Sequence, residues 1–197
     1  MARAGHDTLA RLALLAALSL TACGYNAVIQ ADEEVKAAWG EVQNQYQRRL
    51  DLIPNLVATV KGAASFESDT LKEVTEARAS AMQTRIDPSA IDDPEKLRQI
   101  EQAQQRVSMA LGRFFAGYTE AYPNLQAVAA FRDLQAQLEG TENRIAVARG
   151  RFVDAVARYN RIVLEFPTSM GAGLRGKKVR PSFEATEGAE RPPSVQF

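Results

Sequence analysis

Cysteine and histidine most often give a small protein its chemistry, and this chain of 197 residues holds one of each, Cys23 and His6. Downstream of Cys23 there is no imidazole to act as a neutral-pH base. There is no second thiol and no Ser-His or Cys-His pair. There is no nitrogen–sulfur ligand set for zinc. A di-iron bundle site of the Glu-x-x-His type is excluded for the same reason. Asp87, Asp92 and Asp93, around Pro88 and Pro94, lack the alternating spacing of a calcium loop. What remains is carboxylate, amide and guanidinium groups, and these gather in two blocks. One is Arg48, Arg49 and Asp51; the other is Glu139, Glu142, Asn143 and Arg144. A guanidinium fork bridges a carboxylate and an amide together, so these blocks offer ion pairing rather than group transfer. No catalytic activity, no metal and no cofactor are expected.

Both blocks lie in segments patterned as long helices. From Val35 the positions Val35, Trp39, Val42, Tyr46, Arg49, Ile53, Leu56 and Val60 are spaced alternately by 4 and 3 residues, the seam of a packed helix. Arg49 is the charged member of that seam. Pro54 falls inside it, but the phase survives, so a continuous helix is expected from about Ala27 to Ala64. A second helix is expected from Ser68 to Thr84, with Leu71, Val74, Ala77 or Arg78, and Ala81 inward. The stretch Ile86 to Asp92 has loop composition. Asp93-Pro94-Glu95 reads as an N-cap, an N1 proline and a first-turn carboxylate. A third helix then carries Leu97, Ile100, Gln104, Val107, Leu111, Phe114 and Tyr118 inward. Tyr122-Pro123 restarts the chain. A fourth helix carries Leu125, Val128, Phe131, Leu134, Leu138, Ile145, Ala148, Phe152, Ala155, Tyr159, Ile162 and Phe166. Its register survives Gly140, which favours one helix over two.

Four helices with short connections predict an all-α fold, a long antiparallel up-and-down four-helix bundle. Arg49 lies 21 residues after Val28, and Ile145 lies 21 before Phe166. If the first and fourth helices are antiparallel, the two polar blocks share one height, and Arg49 is expected to pair with Glu142. Such a layer fixes helix register. A ligand- or partner-binding role is the alternative reading.

Composition narrows the partners. Apolar residues make up 46%, enough for a core, and Lys+Arg and Asp+Glu balance at 24 each. No basic face points to nucleic acid. Aromatics are 7%, with Trp39 the single tryptophan, which disfavours a stacking platform. Trp39 and Tyr46 are expected in the core. From Thr168 glycine, proline and lysine dominate. Residues 167–184 are expected to form a basic loop whose Arg175, Lys177, Lys178 and Arg180 are either solvated or touching anionic headgroups. Residues 185–197 are expected to be a disordered tail.

The amino terminus has Arg3 and Arg11, then the apolar run Leu12 to Leu20, then Leu20-Thr21-Ala22-Cys23. The run is too short to span a bilayer, which takes ~20 residues. The pattern resembles a bacterial lipobox; an ordinary signal peptide with an incidental cysteine is the alternative. The resemblance implies removal of residues 1–22 and a lipid on Cys23; the helical spacing then leaves residues 23–27 as a lipidated N-terminus and short linker and 28–166 as the expected bundle. Removal takes away Arg3, Arg11 and Asp7, leaving 22 basic and 23 acidic residues. Gly24 after the cysteine implies an outer-membrane position facing the periplasm in an organism with two membranes. The partners implied are membrane lipid through acylated Cys23 and an unidentified envelope protein, with no nucleic acid.

Val35 to Trp39 (VKAAW), Gln45 to Lys61 (QYQRRLDLIPNLVATVK), Val74 to Arg78 (VTEAR) and Glu139 to Arg149 (EGTENRIAVAR) together resemble the LemA family. Phe166-Pro167-Thr168 and Pro181 to Ala185 are similar to its closing segment, and the likeness covers roughly residues 25–185. It implies a long antiparallel helical bundle behind an N-terminal membrane anchor, with no established biochemical activity. Members commonly begin with an uncleaved transmembrane helix; a lipid on Cys23 departs from that.

Overall fold

The computed structural model describes residues 2–63, 69–84, 86–121 and 128–183, with side chains described from residue 26 onward except at 62, 63 and 118–121. The expectations for Leu125, for Tyr122-Pro123, for the side chains of Cys23 and Tyr118, and for the tail 185–197 lie outside what is described. Among the described residues every regular element is helical: α1 (Ala2–Ala63), α2 (Asp69–Gln83), a short 3-10 helix (Pro88–Asp92), α3 (Pro94–Ala121), α4 (Ala129–Leu164) and α5 (Thr168–Leu174).

α1 begins far earlier than the sequence pattern suggests. Its backbone runs unbroken from Ala2 through Pro54 to Ala63, because leucine and alanine in the apolar run are good helix formers and nothing interrupts them. α4 passes through Gly140 without a break and is 36 residues, ~54 Å, long. No helix among the described residues is long and apolar enough to cross a membrane.

Ile86 to Asp92 is not an open loop. Asp87 accepts from the backbone N–H of Ser89 at 2.8 Å and starts the 3-10 helix, which buries Ala90 and Ile91. Asp93 then caps α3, accepting from the N–H groups of Glu95 and Lys96 at 3.0 and 3.2 Å.

Cross-helix partners fix the directions. Glu34, Glu41 and Arg49 on α1 face Arg158, Arg151 and Glu142 on α4, so these two helices are antiparallel and pack closely. Glu73 of α2 pairs with Arg113 of α3, and α2 also packs closely on α3. Arg78 Nε donates to the Leu50 carbonyl and Gln43 Nε2 to the Ile86 carbonyl, so α2 returns antiparallel along α1.

The core falls into two clusters. The first joins Leu50, Ile53, Leu56 and Val60 to Leu71 and Val74 of α2, Val107 and Phe114 of α3, and Phe131 and Leu138 of α4. The second joins Val35, Trp39, Val42 and Tyr46 to Ile91, Leu97, Ile100, Ile145, Phe152 and Tyr159. In this second half α2 is absent. Its place is taken by the 3-10 helix and the chain after α5, whose Phe183 packs at a tilt against Phe152 and Trp39 at centroid distances of 5.2 and 6.2 Å. Tyr46 and Trp39 are core residues, each 1% exposed. Phe166 is not: it lies beyond the end of α4 and is 80% exposed.

Candidate functional site

Between the two clusters lies a polar layer. Arg49, 1% exposed, extends from the seam of α1 across to α3 and α4. Its Nη1 donates to Glu142 Oε2 and Ser108 Oγ, each at 2.6 Å. Its Nη2 donates to the Gln104 side-chain oxygen at 2.6 Å and to the Gln104 carbonyl at 2.9 Å. Ser108 Oγ in turn donates to Glu142 Oε1 at 2.9 Å. One guanidinium fork therefore ties three helices, which a lysine's single ammonium point cannot do.

The layer draws on fewer of the sequence's candidates than expected, and on different ones. Arg48, Asp51, Asn143 and Arg144 are exposed. Asp51 accepts from Gln47, and Arg144 donates to Thr141 Oγ1, each along its own helix. They sit one or two positions from Arg49 and Glu142, and a helix turns ~100° per residue, which rotates them outward. Glu139 likewise is exposed and accepts from Gln135. The missing members are Gln104 and Ser108. Gln104 was visible as a polar interruption in the α3 seam; Ser108, four residues on, carried no signal of its own.

Beside the layer is a half-open cleft of about 430 Å³, lined by Tyr46, Arg49, Glu101, Gln104, Glu142 and Arg149 among others. Arg149 pairs with Glu101 and lies over the Phe183 ring at 4.2 Å. The Tyr46 hydroxyl, Arg49 Nε and Gln104 Nε2 are buried without a hydrogen-bond partner among the described residues. Burial pushes the Tyr46 phenol above its usual range despite Arg149 and Arg49 nearby, so it stays protonated at neutral pH.

Glu142 is half exposed, so the pair is wet on one side. Glu142→Ala leaves Arg49 its three contacts to Gln104 and Ser108. The expected loss is ~1–3 kcal/mol, the value of a charge-assisted hydrogen bond, rather than that of a dry pair. Urea melts of the variant and the wild type measure it. An unchanged midpoint would mean that water substitutes fully for the carboxylate.

A second polar cluster lies near the start of the core. Asp32 is buried and forms ion pairs with Lys36 at 2.9 Å, Lys177 at 3.1 Å and Arg180 Nη1 at 2.9 Å. Arg180 is buried too; its Nε donates to Asp92 Oδ1 at 2.7 Å, and its guanidinium lies 4.8 Å from the centre of the Tyr159 ring. Asn160 holds the Arg180 backbone, accepting from its N–H at 2.8 Å and donating to its carbonyl at 2.9 Å.

This corrects the expected basic loop. α5 occupies its first half, and Lys177 and Arg180 are bound to carboxylates of the bundle instead of facing headgroups; Lys178 is exposed and Arg175 half-buried. Gly176, at φ 62°, makes the sharp turn. Lys177 N–H returns to the Ala172 carbonyl and Gly176 N–H to that of Gly173, the two-bond glycine stop that closes a helix. That turn delivers Lys177 to Asp32.

Helices alone, knit across the core by one guanidinium, define an all-helical protein with a polar layer at mid-height. The LemA family profile matches residues 38–197, and the chain belongs to the LemA family. It is 28% identical over 183 residues to the magnetosome protein MamQ of Magnetospirillum gryphiswaldense, a match spanning 85% of this chain and 67% of that one. To MamQ 1 and MamQ 2 of Paramagnetospirillum magneticum it is 24% identical over 197 residues, spanning 92% of this chain and 72% of each.

Proposed function

We propose that this LemA-family chain is a non-enzymatic, membrane-anchored scaffold: an antiparallel up-and-down four-helix bundle presented from a lipid on Cys23 in the bacterial cell envelope. The observation that carries this reading is the continuity of α1. Its backbone helix leads directly from the apolar run and Cys23 into the core, whose first member among the described side chains is Val28. An anchor at Cys23 is thus joined to the packed domain by about five residues of helix instead of a slack linker. Two or more acyl chains give stable attachment, at ~0.8 kcal/mol per buried methylene. Loss of the only histidine with residues 1–22 supports a structural role. Gly24 favours the outer membrane, facing the periplasm, where two membranes exist. The partner is a second envelope protein, met by the exposed faces of the helices.

Labelled palmitate fed to cells should enter the wild-type protein and not Cys23→Ser. Equal labelling of both would remove the lipid anchor from this reading.

The cleft beside Arg49 favours one second reading, a carrier of a small ligand. Its unpartnered Tyr46 hydroxyl, Arg49 Nε–H and Gln104 amide are donors, which suits an acceptor-rich molecule. Native mass spectrometry of protein isolated from its cells decides this: absence of any added mass rules out a tightly held ligand.

A further inference from the structure

Surface helices normally turn their large apolar residues inward, and α5 does the reverse. Its small residues Gly171 and Ala172 are buried, and the helix packs on α1 and α4. Met170 and Leu174, one turn apart on a single face, are 55% and 82% exposed. Leu164 and Phe166, just before α5, are 69% and 80% exposed, and Val179, just after it, is 53% exposed. Among the described residues nine large hydrophobics are exposed, and five of them fall in this one short stretch. Isolated exposed apolar residues need no explanation, but a contiguous set does.

The set lies at one definite end of the bundle. Lys177 reaches Asp32 near the start of the α1 core, and Thr168 Oγ1 donates to the carbonyls of Ile162 and Glu165 at the end of α4. α5 therefore lies at the pole from which α1 leads back to Cys23. The five helical residues from Cys23 to Val28 rise only ~8 Å. A bilayer holding a lipid on Cys23 therefore lies at this same end of the bundle.

The charges around the patch suit a headgroup layer. Residues 161–180 carry five basic side chains and one acidic, Glu165. Arg161 and Lys178 are exposed, Arg161 lying 3.9 Å from Glu165, and the neighbouring carboxylates Glu33 and Glu34 are paired with Lys36 and Arg158. Lys177 and Arg180, which the sequence offered as headgroup contacts, are occupied by Asp32 and Asp92. The contact is thus chiefly apolar.

We propose that Leu164, Phe166, Met170 and Leu174 form a surface that seats in the interfacial zone of the lipid bilayer, with Arg161 and Lys178 at headgroup level. This rests on the membrane-anchored reading above. Side chains of such a surface reach roughly 5–10 Å into the boundary between headgroups and acyl chains.

The test uses the intact protein, isolated from membranes with its own anchor and reconstituted into phosphatidylethanolamine–phosphatidylglycerol vesicles containing lipids brominated near the headgroup end of the acyl chain. Phe166→Trp and Leu174→Trp each place an indole on the patch; Met109→Trp, an exposed position on α3, is the control, and Trp39 is the buried background. Emission from both patch indoles should fall roughly twofold or more at this depth, while the control stays unchanged. Protein that floats with the vesicles but shows unquenched patch indoles would overturn the seated surface and leave the anchor standing. Protein that does not float would overturn both. Unquenched indoles in a protein whose mass doubles with concentration would assign the patch to a second copy instead.

Discussion

Arg49→Ala is expected to destabilise the protein by ~3–5 kcal/mol. The substitution removes the donor shared by Glu142, Ser108 and both oxygens of Gln104, and leaves a void where a nearly fully buried side chain stood. The Gln104 oxygens, in a buried residue, have no easy access to water as replacement. For a chain of this length the melting temperature should fall by roughly 10 °C. Arg49→Lys should recover only part of the loss, since an ammonium keeps the charge but cannot span three helices. Urea unfolding followed by circular dichroism gives both numbers. An alanine variant within 1 kcal/mol of wild type would show that the layer is held together by packing alone.

Asp32→Ala is expected to cost ~3 kcal/mol and to free the chain after α5. The figure lies at the low end for breaking a buried pair, because Arg180 keeps Asp92. Protonation should do reversibly what the substitution does permanently. Burial pushes the Asp32 carboxyl up, but Lys36, Lys177 and Arg180 together outweigh it and hold it below its ordinary value. A depressed carboxylate stabilises the fold at every pH above its unfolded value, and that stabilisation is lost as pH falls through the folded value. The wild type should therefore keep residues 175–183 bound throughout the ordinary aspartate range and release them only at more acid pH, as Asp32 takes up its proton. Asp32→Asn should show them released at pH 7, with no further acid step of this kind. Amide exchange along that segment reads both; identical protection in wild type and variant at pH 7 would remove Asp32 from the clamp.

Much of the fold was legible because long helices advertise their faces. The seam from Val35 to Val60 marks α1 as buried along one side, and the same count that placed Arg49 above Val28 found Glu142 at matching height on α4. That reasoning works where two rods lie side by side and rise at one rate. It fails for neighbours of a seam residue: Arg48 and Asn143 share the chemistry of the layer but not its direction. It fails more fully where the chain is irregular. Glycine, proline and lysine after Pro167 read as a solvated loop, yet Lys177 and Arg180 find Asp32 about 145 residues away in sequence. No local pattern encodes a partner at that separation. The start of α1 was missed for the opposite reason: reading the first residues as a removable leader set aside their strong helical propensity. The 3-10 helix was missed because Asp-Pro-Ser composition describes turns and short helices alike.

The separation of the two ends of α4 has a mechanical consequence. With Leu164 near one pole and Ala129 ~54 Å away, the remote tips of α1 and α4 lie several screening lengths from any surface that grips the near end, since ionic fields fade over ~8 Å in physiological salt. A partner at those tips would therefore bind independently of the charge of a membrane holding Cys23. On the membrane-anchored reading proposed above, the bundle would act as a stiff spar that holds a docked partner at a fixed height above the lipid.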